Sequence, residues 1–304
     1  MTLPSGPPRA RLKIGATISD VRIGFIGQGW IGKTYSDDFE KRGYPVVRYA
    51  KEEPYLHNAA QLSGCNIVFI AVPTPTTPEG FDASIVEGCV ALVSEGTTVV
   101  IKSTLLPGTT EAIQRKFPKV TVTHSPEFLS VATAQHDAEN PTRNIIGLAI
   151  DSPENRARAE QVMAVLPRAP YSLICGSREA ELIKYGRNAL GFVRVVFINL
   201  FYDLASRVGA DWSVIRQAMA ADPDCGPTYL NPVHKSGRGA GGACFIKDFE
   251  ALSRLYKELV GDEHGANVFD SLSAKNIELL LGTDKDLDLL RGVHGDAVLA
   301  KAKH

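Results

Sequence analysis

The chain has 304 residues, 44% of them hydrophobic and 22% charged, with a formal net charge of -1. That length exceeds what one hydrophobic core comfortably serves, so two domains are expected. The near-neutral balance provides no field to attract nucleic acid or an anionic membrane, and no apolar run approaches the roughly 20 residues that cross a bilayer.

Residues 1–20, MTLPSGPPRARLKIGATISD, lack the apolar segment of a signal peptide and read as a disordered leader on a cytoplasmic protein. From Val21 the chain alternates β-rich runs with amphipathic stretches: VRIGFIG, a helix from about Gly32, then YPVVRYA, CNIVFIAVP, TTVVIKST and KVTVTHSP, with strands near Asn144–Ile150 and Tyr171–Ile174. Strands alternating with helices predict a Rossmann-like α/β domain with a parallel sheet over residues 21–176. Runs such as CNIVFIAV are nearly all apolar, as strands covered on both faces should be.

The pattern changes at Ser177. Up to about Val208 there is no proline, and apolar residues occupy almost every side of a helical wheel between Ala189 and Ala205. This predicts a long helix buried all round, as the centre of an all-helical domain over 177–282 or as half of a homodimer interface. Further helices are expected at about Asp211–Ala221, Lys247–Leu259 and Asn267–Leu281, followed by a weakly patterned tail over 283–304. The five cysteines (Cys65, Cys89, Cys175, Cys225, Cys244) are odd in number and scattered, which argues against a disulfide framework and for a reducing compartment. The seven histidines show no pair at metal-ligand spacing, so no metal site is expected.

Gly27, Gly29 and Gly32 form G-x-G-x-x-G directly after an apolar strand and at the start of a helix, with Trp30 and Ile31 between the last two glycines. That context marks a dinucleotide site: a tight turn, a close approach of the pyrophosphate, and close packing of helix on strand. The second strand ends Arg48-Tyr49-Ala50-Lys51 without the carboxylate that usually holds the ribose of NAD. Two cations there suit the 2′-phosphate of NADP or are simply surface charges, so NAD and NADP both stand.

Four glycines, Gly237, Gly239, Gly241 and Gly242, lead into Cys244, with Lys247 and Asp248 one turn on. Glycines admit a ligand against the backbone. A cysteine opening a helix near a lysine is placed for thiolate chemistry, although from these residues alone a buried structural cysteine after a glycine loop is the slightly better reading. Lys184, on an otherwise apolar helix, is poorly explained as a solvated charge.

The segment GRGAGGACFIKD resembles the G-x-G-x-G-G-x-C-x-x-K-D signature of the UDP-glucose/GDP-mannose dehydrogenase family. In that family's order follow VPTPTTPEGFDAS at Val72–Ser84, KSTLLPGTT at Lys102–Thr110, SPEFL at Ser125–Leu129, PTRNIIG at Pro141–Gly147 and AELIKYGRNA at Ala180–Ala189. The resemblance implies oxidation of the C6 alcohol of a nucleotide sugar to a carboxylate, with two hydrides passing to NAD. It assigns Cys244 the thiohemiacetal and thioester, Lys184 and Asn188 the developing alkoxide, Asp248 the water and, with Lys184, proton transfer, and Thr104 and Glu127 assistance in hydrolysis. It places cofactor on Gly27, Gly29, Trp30, Ile31, Gly32, Pro73, Thr74, Thr104 and Lys247, and substrate on Glu127, Phe128, Leu129, Lys184, Asn188 and Gly241.

Three departures bear on substrate. The family's C-terminal domain has no counterpart here, the stretch AKEEPYLHNAAQLSG is shortened, and Asp224 stands where the family's D-x-R-I-G carries arginine, which a carboxylate cannot replace. These leave open a substrate other than an ordinary nucleotide sugar, a partner chain supplying the missing domain, or a truncated chain. Two further readings stand beside the four-electron enzyme: a two-electron dehydrogenase using Lys184 and Asn188 alone, and a non-catalytic nucleotide-binding relative.

Overall fold

A seven-stranded sheet organises the first part of the chain in a computed structural model whose described residues are 20–300. Apart from Asp20, the expected leader lies outside them, as do residues 301–304. The chain divides into two compact units, residues 20–74 with 83–184, and residues 75–82 with 185–300. The division falls after Lys184, inside the long helix, rather than at its start where the sequence pattern changes.

In the first unit the strands run, in sheet order, Val46–Tyr49, Ile23–Ile26, Ile67–Ile70, Thr98–Ile101, Thr121–His124, Arg143–Leu148 and Tyr171–Gly176. Each strand expected from the sequence is present. Three of them, Ile23–Ile26, Ile67–Ile70 and Thr98–Ile101, are buried at every residue, as their continuous apolar runs require. Phe25 stacks on Phe69 at 4.9 Å, and Phe39 meets Phe25 edge-on at 5.4 Å, filling one face of the sheet.

The sheet is not wholly parallel. Thr121–His124 pairs antiparallel with Arg143–Leu148, through Thr123 with Leu148 and His124 with Gly147. The connection between them holds one six-residue helix, Ala134–Glu139. Such a helix rises about 9 Å, too little to carry the chain back along the sheet, so the next strand runs in reverse.

The second unit is mostly helical: the C-terminal part of Ser177–Arg207, then Trp212–Ala221, Gly242–Leu259, Glu263–Leu281, Leu287–His294 and Ala297–Ala300. Phe192 stacks on Phe249 at 3.8 Å within one core cluster. A second cluster joins Ile246 and Leu280 to Leu290, Val293 and Val298. The stretch expected as a tail is therefore part of this unit. Its two short helices bury one apolar side each, a signal too brief to stand out in the sequence.

The long helix is not buried all round. Leu190, Phe197 and Leu204 are 73%, 55% and 56% exposed, and their seven-residue spacing places them on one face, while Phe192, Val196 and Asn199 are buried. By length and composition Ser177–Arg207 is also apolar enough to cross a membrane, contrary to the expectation that no run would be. Yet Glu181, Lys184 and Asn188 are all buried along it and hydrogen-bonded, to Thr110, to the Glu127 carbonyl and to Asp248 respectively.

Candidate active site

The glycine loop shows three different reasons for glycine. Gly27 has φ of 92°, and a Cβ there would lie 2.3 Å from the Ala71 carbonyl oxygen. A Cβ on Gly32 would lie 1.9 Å from the Gly27 carbonyl oxygen. At Gly29, by contrast, a Cβ would meet nothing within 4 Å. The helix Trp30–Lys41 starts there with no side-chain cap and no acid in its first turn, so its leading N–H groups face open space. Trp30 is exposed and Ile31 half-buried beside them. Thr74 is buried and donates its hydroxyl to the Thr104 carbonyl at 2.8 Å, tying together the segments that follow two neighbouring strands, while Pro73 is exposed.

The same unit gathers Glu127, Phe128, Leu129 and Lys184. Lys184, 7% exposed, donates to the Glu127 carbonyl oxygen at 2.6 Å and lies 5.6 Å from the Phe128 ring centroid; the Glu127 carboxylate accepts from the Leu129 N–H. Sequence reasoning missed two neighbours. Lys102 is 4% exposed, and its ammonium donates to the Ser125 hydroxyl at 3.3 Å over the Tyr35 ring at 4.4 Å. Burial lowers its pKa to about 8, with Glu127 opposing and Lys184 assisting that shift. His124 is fully buried and pushed down to about 3 by desolvation, so it is neutral; its Nδ1 bonds the Ile101 carbonyl at 3.0 Å, and its Nε2 has no partner. A lysine ending the apolar strand run VVIK is the signal that could have found this cluster, for the same reason that singled out Lys184.

In the second unit Asp248, 1% exposed, accepts from Asn188 at 2.7 Å and from Lys247 at 2.5 Å. Lys247, expected beside the thiolate, is bound to this carboxylate instead. Cys244 is exposed in the first turn of Gly242–Leu259, four residues before Asp248. The helix terminus favours a thiolate there by about 0.3–1 kcal/mol.

Gly237 and Gly241, before Cys244, are held to glycine by packing. A Cβ on Gly237 would lie 2.3 Å from the Thr283 hydroxyl, and one on Gly241 would lie 2.0 Å from the Asp286 carboxylate. Asn276 bonds both the N–H and the carbonyl of Ala240, at 2.6 and 3.0 Å, and Lys285 donates to the Gly239 carbonyl at 2.8 Å. Asp286 accepts from the Gly242 N–H at 2.7 Å. The loop that delivers Cys244 is thus clamped by residues that the sequence pattern assigned to a helix and a tail.

Residues 55–166 match the UDP-glucose/GDP-mannose dehydrogenase family, NAD binding domain, and residues 178–276 match the central domain of the same family. The chain belongs to the UDP-glucose/GDP-mannose dehydrogenase family. It is 31% identical over 240 residues to UDP-glucose 6-dehydrogenase of Pseudomonas aeruginosa, covering 74% of this chain and 52% of that protein. It is 30% identical over 289 residues to UDP-glucose 6-dehydrogenase YwqF of Bacillus subtilis, covering 86% and 63%. A UDP-glucose dehydrogenase from Pyrobaculum islandicum superposes with a TM-score of 0.73 at 27% identity, covering 87% of this chain and 70% of that one. The chain thus spans 52% and 63% of the length of the two UDP-glucose 6-dehydrogenases.

NAD is the cofactor of this family's first domain, and the loop fits it: Gly29 leaves room at an uncapped helix start for a pyrophosphate. Arg48, which stood in the sequence as a candidate for a 2′-phosphate, is 9% exposed and held by Glu40 at 2.6 and 2.9 Å and by Asp37 at 2.7 Å. Its charge is already matched. Arg48→Met is therefore expected to leave the ratio of NAD to NADP turnover unchanged, as initial rates with each cofactor would show. Asp224, in the place of the family's arginine, is exposed, and its N–H donates to the Asp222 carboxylate at 2.9 Å.

Proposed function

We propose that the chain catalyses the NAD-dependent four-electron oxidation of a primary alcohol of a nucleotide sugar to a carboxylate, with Cys244 as the covalent catalyst. One observation carries the reading: along a single helix an exposed thiol in the first turn precedes, by four residues, a buried carboxylate held by Asn188 and Lys247. A two-electron dehydrogenase has no use for the thiol. The names of the relatives, UDP-glucose 6-dehydrogenase, support the substrate class.

In this reading Lys184 and Asn188, four residues apart on one continuous helix, stabilise the alkoxide as the alcohol gives up its proton. The Cys244 sulfur then adds to the aldehyde carbon, and the oxygen takes up a proton to form the thiohemiacetal. Loss of a hydride and of that proton leaves a thioester. Asp248, with Thr104 and Glu127, directs water to its carbonyl; the C–S bond breaks, releasing carboxylate and restoring the thiol. NAD, when bound, accepts one hydride in each oxidation, so one alcohol, two NAD and one water give one carboxylate, two NADH and three protons. By the family resemblance Gly27, Gly29, Trp30, Ile31, Gly32, Pro73, Thr74 and Lys247 are proposed as cofactor-binding residues, and Phe128, Leu129 and Gly241 as substrate-binding residues.

The test is reduction of NAD with UDP-glucose, GDP-mannose, N-acetylated UDP-sugars and free sugars, followed by nicotinamide absorbance and product mass. Two NADH per carboxylate is the expected result. NAD binding without turnover of any sugar would replace this reading with a non-catalytic one. Because Asp224 cannot act as an arginine would, we infer that a second chain contributes to holding the nucleotide. The exposed row Leu190, Phe197 and Leu204 supports a homodimer. Light scattering at micromolar concentration is expected to give a dimer for the wild type and a monomer for Phe197→Glu. The odd number and wide scatter of the five cysteines support a cytoplasmic location.

A further inference from the structure

Two buried ammonium groups grip one short stretch of chain, the turn Ser125–Leu129. Lys184 reaches it from the long helix and donates to the Glu127 carbonyl at 2.6 Å. Lys102 reaches it from the end of the Thr98–Ile101 strand and donates to the Ser125 hydroxyl at 3.3 Å and to the Ser125 carbonyl at 3.5 Å. Both lysines are nine-tenths or more buried. The Lys102 bonds are long for a buried cation, and the rest of its ammonium shell is the face of the Tyr35 ring at 4.4 Å. Seating a charge so deeply on such weak partners has no packing explanation, since a methionine would fill the same space at lower cost.

We propose that Lys102 is a positioning residue which, through its charge and its hold on the Ser125–Glu127 turn, makes Lys184 easier to deprotonate. The inference rests on the reading of Lys184 as a proton-transfer group and adds to it the residue that tunes it.

Glu127, Lys184, His124 and Tyr35 face Lys102 from the elements packed against it. From the turn, Glu127 is the nearby carboxylate, and it favours the charged form of both lysines. From the long helix, Lys184 repels Lys102, and that repulsion is reciprocal. From its own strand neighbour, His124 is neutral and adds no charge. From the first helix, Tyr35 is buried with its pKa raised, by desolvation first and then by Glu127, so it too stays neutral. One carboxylate thus serves two cations. Removing Lys102 leaves Glu127 wholly to Lys184, which then holds its proton to higher pH. The effect exists only while Lys102 carries its charge, below its own pKa of about 8.

The test is a titration of Lys184 by nuclear magnetic resonance in full-length protein carrying labelled lysine side-chain carbons, its signal assigned with Lys184→Arg. Wild type, Lys102→Met and Lys102→Arg are compared between pH 6 and 10, alongside the pH profile of NAD reduction. The expected result is a Lys184 midpoint raised by about one unit in Lys102→Met, restored in Lys102→Arg, with a kcat profile displaced by the same amount and about tenfold slower turnover at neutral pH. A Lys184 midpoint that does not move in Lys102→Met, with NAD binding intact, overturns the proposal. If Lys102→Met does not fold, the arginine variant decides: a guanidinium of fixed charge must hold the Lys184 midpoint down beyond pH 8, where wild-type Lys102 begins to neutralise, and failure to do so overturns the proposal equally. A midpoint that moves while the kcat profile stays in place upholds this inference and removes Lys184 from proton transfer.

Discussion

Cys244→Ala is expected to stop carboxylate formation, lowering its kcat by at least about 10³, and to cap the yield at one NADH per sugar. The thiol is exposed in the first turn of its helix, so its removal opens no cavity in the core. Folding should therefore be unchanged, and thermal unfolding within about 0.5 kcal/mol of wild type would confirm that only chemistry was lost. In the proposed mechanism the first oxidation uses Lys184 and Asn188 but not sulfur, so a slow release of aldehyde is the product to look for by mass. A second hydride cannot leave an aldehyde carbon until a nucleophile has added to it. Carboxylate made by Cys244→Ala at the wild-type rate would remove the thioester from the mechanism and leave a two-electron dehydrogenase, or one that oxidises the hydrated aldehyde without covalent help.

What could be read from the sequence depended on how long each physical signal ran. The strands Ile23–Ile26, Ile67–Ile70 and Thr98–Ile101 were legible because burial on both faces demands unbroken apolar runs bounded by glycine and polar turns. The reversal at Arg143–Leu148 was not, since direction is set by the reach of a six-residue helix that sequence periodicity does not measure. The glycines at 27 and 32 are required by the Ala71 and Gly27 carbonyls and that at 29 stands clear, whereas those at 237 and 241, taken as room for a ligand, have Thr283 and Asp286 where a Cβ would lie. Glycine marks a close approach without saying what approaches. Lys247 illustrates the same limit for charge: spacing placed it near Cys244, but its partner is the adjacent carboxylate of Asp248. Lys102 was passed over because it sat inside a family motif, although a lysine closing the apolar run VVIK already signalled its burial beneath Tyr35.

The two glycines of the nucleotide loop give a sharper separation of fold from function than either gives alone. Gly32→Ala puts a methyl 1.9 Å from the Gly27 carbonyl, a backbone atom that cannot swing aside. The helix Trp30–Lys41 must then lift off the sheet, at a cost of about 2–4 kcal/mol, and its N-terminal N–H groups move with it. A large fall in Tm and loss of NAD binding are expected together. Gly29→Ala puts the methyl in open space, with nothing within 4 Å, and Gly29 carries no positive φ to be strained. The free protein should melt as wild type does. The new methyl nevertheless stands at the uncapped helix start where a pyrophosphate has to approach, so NAD affinity should fall by about 10- to 100-fold, or 1.4–2.8 kcal/mol. Thermal melts and NAD calorimetry on the two variants read both quantities. If Gly29→Ala binds NAD with wild-type affinity, the phosphate does not lie against this loop, and the cofactor surface drawn around Gly27, Gly29 and Gly32 has to be moved.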